Sequence, residues 1–266
     1  MERIACYNSI SEKFLQMHPH AFVGYLTAGY PDRDSFFPLL AECEQAGMQV
    51  MEIGFPSKNP FCDGEIIRAA HKIIDPTISH DLSFWTSLRS CVEEPIWLMG
   101  YQADLLNTGI YLQLAKKKLV DNLVIPDTDT RTRLALMDEL ASLGVDVMGF
   151  TGDDQSDEEN DLVLRRFPLV YQRLYSGPTG VQNNSDSYLR LLHRAKELAV
   201  GRVFAGFGIG TCQRAAELLE AGFDGVIIGT AIMKKLNSSR QEMLEFLRAL
   251  NTTTTEVNLH EVHCHV

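Results

Sequence analysis

The chain has 266 residues, 45 % of them hydrophobic and 22 % charged, which suits one globular unit of α/β-barrel size or two modest domains. A net charge of −11, with no basic run longer than Lys116–Lys118, argues against nucleic acid as the main partner, because phosphate backbones need clustered Lys and Arg. No apolar run reaches the ~18 residues of a membrane span, and Met1–Phe14 lacks the apolar core of a secretory signal, so the expected address is cytoplasmic.

Along the chain, short apolar runs alternate with longer amphipathic stretches. An extra helix precedes the first strand. Strands are predicted at Ala21–Thr27, Val50–Ile53, Ile96–Gly100, Asn122–Pro126, Val145–Phe150, Leu169–Tyr171, Val203–Gly206 and Gly225–Ile228. They are apolar on both faces, as expected of a buried parallel sheet. Helical periodicity covers Ser35–Ala46, Thr130–Leu143, Tyr188–Leu198, Cys212–Ala221 and Arg240–Leu250. Gly47, Gly144 and Gly222 follow three of these as stop signals. A strand–helix unit repeated in this way predicts a single α/β domain, a (β/α)8 TIM barrel, over residues 1–250. A doubly wound open sheet is the rival on periodicity alone. The polar stretch Gly152–Asp161 reads as a loop, not a domain boundary. Residues 251–266, with four consecutive threonines, read as a flexible tail, disordered or extended. The six cysteines are scattered without a Cys-x-x-Cys pair, a pattern of reduced thiols.

Active sites of such barrels collect where the strands end. Glu52 lies inside the otherwise apolar run Val50–Ile53, and a carboxylate pointing into a barrel is costly unless paired or functional. Desolvation raises its proton affinity toward the range a general acid–base needs at neutral pH. Asp63 follows on a Pro- and Gly-punctuated loop able to fold back over the mouth. Structural alternatives stand beside this: Glu52 neutralising a buried Lys or Arg, and Asp63 capping the helix that begins near Glu65. The segment Tyr171–Gly180 is dense in Gly, Ser, Thr and Pro. It suits a loop closing over a ligand, or an ordinary connection. Gly206–Gly210 and Gly229–Ala231 follow the last two strands, where main-chain N–H groups and helix N-termini can hold a phosphate. Glycines needed only for tight turns are the competing explanation.

From Phe22 to Leu250 the chain resembles the tryptophan synthase alpha subunit family. The resemblance is carried by Leu26-Thr27-Ala28-Gly29-Tyr30-Pro31, Glu52-Ile53-Gly54-Phe55-Pro56, Cys62-Asp63-Gly64, Gly177-Pro178-Thr179-Gly180, Gly206-Phe207-Gly208-Ile209 and Gly229-Thr230-Ala231-Ile232, in order and spacing. It implies a cofactor-free carbon–carbon lyase that cleaves indole-3-glycerol phosphate to indole and glyceraldehyde 3-phosphate. Glu52 would be the general acid–base, and Asp63 would stabilise charge on the indole ring. Tyr171, with Tyr25, Tyr101 and Asp127, would line the substrate pocket. Thr179 would contact the catalytic aspartate on closure. Phe207, Gly208, Gly229 and Thr230 would cradle the phosphate, with Gly180 nearby. No metal is expected. A beta-type subunit is the implied partner.

Departures from the family pattern gather at partner-facing and pocket-wall positions. The family's Phe-Ser-Asp-Pro-Leu-Ala-Asp-Gly run reads Ser57-Lys58-Asn59-Pro60-Phe61-Cys62-Asp63-Gly64, so a partner-facing aspartate is Asn59. Tyr101-Gln102-Ala103 lacks the family's asparagine, Asp127-Thr128-Asp129 replaces Asp-Leu-Pro, Gly152-Asp153-Asp154 replaces an apolar, Pro-containing stretch, and Tyr175 stands for an arginine. Two other functions therefore stay open: an aldolase or isomerase acting on another phosphorylated compound, and a non-catalytic phosphometabolite-binding barrel. The tail gathers His260, His263, Cys264 and His265, ligand types for zinc or nickel, but in no recognised spacing. His71, His80 and His193 fall on helical stretches and read as surface or packing residues.

Overall fold

The computed structural model describes residues 4–175 and 188–264, with side chains to Asn258. In chain order the elements are α1 Ser9–Met17, β1 Ala21–Thr27, α2 Arg33–Gln45, β2 Val50–Gly54, α3 Glu65–Ile73, α4 Leu82–Ser90, β3 Ile96–Met99, α5 Ile110–Lys116, β4 Asn122–Val124 and α6 Thr130–Ala141. There follow β5 Asp146–Val147, β6 Gly149–Thr151, α7 Asp157–Arg166, β7 Leu169–Arg173, α8 Tyr188–Leu198, β8 Arg202–Gly206, α9 Cys212–Ala221, β9 Gly225–Ile228, α10 Thr230–Ser238 and α11 Arg240–Cys264.

The strands pair in parallel in the order β5-β4-β3-β2-β1-β9-β8-β7-β6. The two ends of that order, β5 and β6, are separated in sequence only by Met148, whose N–H donates to Leu123 O at 2.9 Å. They form one strand with a break, so nine segments make eight strands and the sheet closes on itself. The open doubly wound sheet is thereby excluded. Every residue of β1 and β2 is buried, which is why these runs carry so few polar residues. Inside the barrel, Trp97 of β3 meets Phe204 of β8 edge to face with ring centroids 5.1 Å apart, filling the space beneath the mouth. The three stop glycines adopt the left-handed conformation that ends a helix, with φ of +91° at Gly47, +70° at Gly144 and +109° at Gly222. No helix among the described residues is long and apolar enough to cross a membrane.

The extra N-terminal helix is present and closes the foot of the barrel. Asn8 caps α1 by accepting the Ser11 N–H at 2.8 Å, and its Nδ2 donates to Asp121 Oδ1 and Gly144 O, both at 2.9 Å. The buried Asp146 carboxylate accepts the Tyr7 N–H at 2.8 Å and the Asn8 N–H at 3.1 Å.

The reading of residues 251–266 as a disordered or extended tail needs correction. Arg240–Cys264 is one helix, and it runs through the four threonines. Each threonine hydroxyl donates to the carbonyl four residues back, as Thr254 Oγ1 does to Leu250 O at 2.6 Å. Thr254 and Val257 are buried, and Asn258 exchanges hydrogen bonds with the backbone of His20. Tertiary contacts thus override the weak helix propensity of threonine. His265 and Val266 lie outside the described residues.

Candidate active site

Glu52 is 4 % exposed, with Tyr25 of β1 and Trp97 of β3 in register on either side. Burial, then the charge of Asp63, pushes its pKa up to about 8. Among the described residues no Lys or Arg forms an ion pair with it, so the alternative of a buried cationic partner has no support. Gly54, two residues on and therefore on the same face, is a necessity: a Cβ there would lie 2.0 Å from Tyr25 Oη. The missing side chain lets the Tyr25 phenol lean over the end of β2.

Asp63 is 3 % exposed on the loop between β2 and α3. Its Oδ2 accepts the Tyr101 hydroxyl at 2.6 Å. Burial raises its pKa to about 6, opposed by that hydrogen bond and by Arg68. The helix behind it is capped at Gly64 without a side-chain bond, so Asp63 is not serving as the cap. Burial and the charge of Asp63 keep the Tyr101 phenol protonated, which makes it a donor.

Opposite the acids, β8 ends in a turn in which Phe207 (φ +76°) and Gly208 (φ +74°) are both left-handed. Phe207 carries strain in that conformation, since its Cβ crowds the carbonyl. Gly206 makes room for an aromatic ring, because a Cβ there would lie 2.1 Å from the Tyr171 ring. At the end of β9, Gly229 caps α10 with no side-chain hydrogen bond, so the first N–H groups of that helix face the mouth uncapped.

These parts share one cavity of about 400 Å³. Tyr25, Glu52, Asp63, Tyr171, Phe207, Gly208, Gly229 and Thr230 all line it. Tyr101 reaches it through Asp63. Asp127 is not brought to the cavity: its carboxylate accepts the Gln102 N–H at 2.9 Å and braces the wide turn Gln102–Leu106 after β3. Thr179 and Gly180 lie outside the described residues. Met99, Val124, Pro126, Phe150 and Ile227 supply an apolar wall that sequence reasoning missed. Phe150 stacks on Tyr171 with centroids 5.2 Å apart, which makes that end a slot for a flat ring. The signal was available: Met99, Val124 and Pro126 stand at or just beyond strand ends, and Phe150 and Ile227 one residue short of them. Lys234 was also missed. It lies four residues after Thr230, on the same helix face, and brings a cation to the glycine end of the cavity. No cluster of three or more His, Cys, Asp or Glu able to hold a metal ion occurs among the described residues.

A cavity with an apolar slot, two acids of unlike proton affinity and an anion-binding rim can hold an aromatic ring and a phosphate at once while moving protons between them. Comparison with known proteins gives the family. The family model described as tryptophan synthase alpha chain matches residues 12–261. The tryptophan synthase alpha chain of Caulobacter vibrioides is 30 % identical over 228 residues, covering 83 % of this chain and 82 % of its own. Among solved structures, tryptophan synthase of Mycobacterium tuberculosis superposes with a TM-score of 0.81 at 20 % identity, over 94 % of this chain and 99 % of that one. A chain of the tryptophan synthase complex from Pyrococcus furiosus gives 0.72 at 22 % identity, over 86 % and 97 %.

Proposed function

The chain belongs to the tryptophan synthase alpha chain family, and we propose that Glu52 and Asp63 divide the proton work of its reaction, the cleavage of indole-3-glycerol phosphate to indole and glyceraldehyde 3-phosphate. The protein is thus a carbon–carbon lyase of tryptophan biosynthesis. The observation that carries the division of labour is the unlike environment of the two acids. At pH 7 a group at about 8 holds its proton and one at about 6 has lost it. Protonated Glu52 is suited to placing a proton on C3 of the indole. That step makes the ring positive, and ionised Asp63 beside it stabilises that charge. Glu52, now a carboxylate, takes the proton of the side-chain hydroxyl as the carbon–carbon bond breaks and the aldehyde forms. The proton count closes, and Glu52 ends as it began. The apolar slot would take the indole. The uncapped start of α10, with Gly208, Thr230 and Lys234, would take the phosphate. No cofactor enters the scheme.

The working partner we propose is a beta-type subunit, supported by the likeness to a tryptophan synthase complex. Phe61, 55 % exposed on the Asp63 loop, together with exposed Asn59, offers a surface at the mouth for it. A cytoplasmic address fits such a metabolic role. The test is indole release from indole-3-glycerol phosphate by the purified chain, with and without a beta subunit. Release that depends on Glu52 supports the assignment; no indole under either condition ends it.

A further inference from the structure

Behind the acids lies a buried polar chain that the cleavage scheme leaves unused. His71, on the covered side of α3, is 8 % exposed. The Ser57 N–H donates to its Nδ1 at 3.2 Å, so that nitrogen is an acceptor and the ring proton resides on Nε2. Nε2 lies 3.3 Å from Tyr25 Oη. Burial lowers the His71 pKa to about 4, which keeps the ring neutral and this proton arrangement fixed at working pH. Burial likewise holds the Tyr25 phenol well above its usual range, hence protonated.

With Nε2–H donating, Tyr25 Oη is already accepting one hydrogen bond and must place its own proton. Thr27 Oγ1 lies 3.4 Å away, a contact as long as the one to His71, with either hydroxyl able to donate, so a ligand oxygen would replace Thr27 as acceptor. The hydroxyl overlies Gly54, at the end of the strand that carries Glu52, and Tyr25 itself lines the cavity. Toward the other rim, an added Cβ at Gly229 would lie 3.3 Å from Tyr25 Cβ. The side chain therefore runs between the start of α10 and the end of β2, along the line that joins anion rim to acid rim. The far side of the chain is anchored too. Ser57 Oγ donates to Asp104 Oδ2 at 2.6 Å and accepts the Asn59 N–H at 3.2 Å.

We propose that Tyr25, held by the Nε2–H of His71, donates its hydroxyl proton to the hydroxylated carbon chain of the ligand, which makes His71 a positioning residue that itself touches no substrate. The inference rests on reading the cavity as the indole-3-glycerol phosphate site. It adds a side-chain contact, beside the acids and Tyr171, to the stretch between phosphate and indole.

The experiment measures binding of glycerol 3-phosphate and of inorganic phosphate to the purified protein by calorimetry, alongside kcat and KM for indole release. Tyr25→Phe is expected to weaken glycerol 3-phosphate by about five- to tenfold, the scale of one neutral hydrogen bond, and to leave inorganic phosphate within about twofold. KM for indole-3-glycerol phosphate rises by a similar factor. His71→Leu reproduces the effect, and the double variant is no worse than Tyr25→Phe alone. His71→Gln restores most of the affinity, since its amide can both accept from Ser57 N–H and donate to Tyr25. Should His71→Leu not fold, Tyr25→Phe and His71→Gln carry the comparison. A merely structural role would weaken both ligands alike. That result, unchanged glycerol 3-phosphate binding by Tyr25→Phe, or a further loss when His71→Leu is added to Tyr25→Phe, overturns the proposal. If the wild type binds glycerol 3-phosphate yet releases no indole, the substrate reading falls and the binding series still decides the role of Tyr25. A wild type that binds no glycerol 3-phosphate overturns both.

Discussion

At the β2–β3 rim of the cavity the working atoms are side-chain oxygens, on Glu52, Asp63 and Tyr101, each buried and the last two hydrogen-bonded to each other. At the β8–β9 rim they are main-chain N–H groups around Gly208, Gly229 and Thr230, and what matters is mainly which side chains are missing. The acid rim depends on electrostatics that burial sets, because an unpaired carboxyl in a low-dielectric site keeps its proton. The anion rim depends on the start of a helix and on space. Damage to the first should therefore appear in the chemical step and its pH profile. Damage to the second should appear in affinity.

The largest effect is expected from Glu52→Gln, which removes the transferable proton. kcat should fall by about 10³-fold, within the range of general acid–base catalysis, while phosphate binding holds. A substantial residual kcat in steady-state assays would break the assignment of roles. The same variant should be more stable at neutral pH. The folded-state pKa of Glu52 is raised from 4.5 to about 8, so its burial opposes folding increasingly as pH rises through that window. Chemical denaturation of both proteins at pH 5 and pH 8 checks the sign: the advantage of the variant should grow with pH.

Next in size is the pH dependence. kcat/KM should be bell-shaped, falling below about 6 as Asp63 gains a proton and above about 8 as Glu52 loses one. Tyr101→Phe removes a hydrogen bond that favours ionised Asp63, so the acid limb should move to higher pH and the alkaline limb stay put. A shift of both limbs together would mean that Glu52 and Asp63 titrate as one coupled pair rather than in separate roles.

On the other rim, Gly229→Ala puts a methyl group 3.3 Å from Tyr25 Cβ, at the start of α10. About a tenfold rise in KM is expected with the pH limits unchanged. Smallest is Lys234→Ala. Its side chain is exposed, so KM should rise about threefold at low salt, and the effect should vanish near about 0.5 M salt, where the screening length is shorter than about 8 Å. An effect that survives salt would mean a closer contact with the phosphate than exposure suggests.

The two rims also differ in how plainly they could be read beforehand. Glu52 stood out because a charge in Val50–Ile53 breaks an apolar pattern, and the glycine turns stood out because they follow strands at the right places. The barrel itself was legible from β1 and β9, whose bounds agree with the expected ones, and from left-handed Gly47, Gly144 and Gly222. Three things were not legible. The threonines of α11 score poorly as helix formers, and only contacts such as Asn258 with His20 hold them in the helix. Asp127 looked like a pocket residue but braces a wide turn that no local pattern announces. His71 read as a surface or packing histidine, because the bonds that give it a task join positions 25, 57 and 71, which only the folded sheet brings together.

The Asn8 and Asp146 clasp at the foot of the barrel has a consequence for synthesis. Residues 7 and 8 leave the ribosome 139 and 138 positions ahead of the carboxylate that receives their N–H groups. Until then the amino-terminal helix has no seat, and its apolar side, Phe14 and Leu15, must wait in water or on a chaperone. The base of the molecule is thus sealed late, by its early-made segment, at the interrupted strand where the sheet closes.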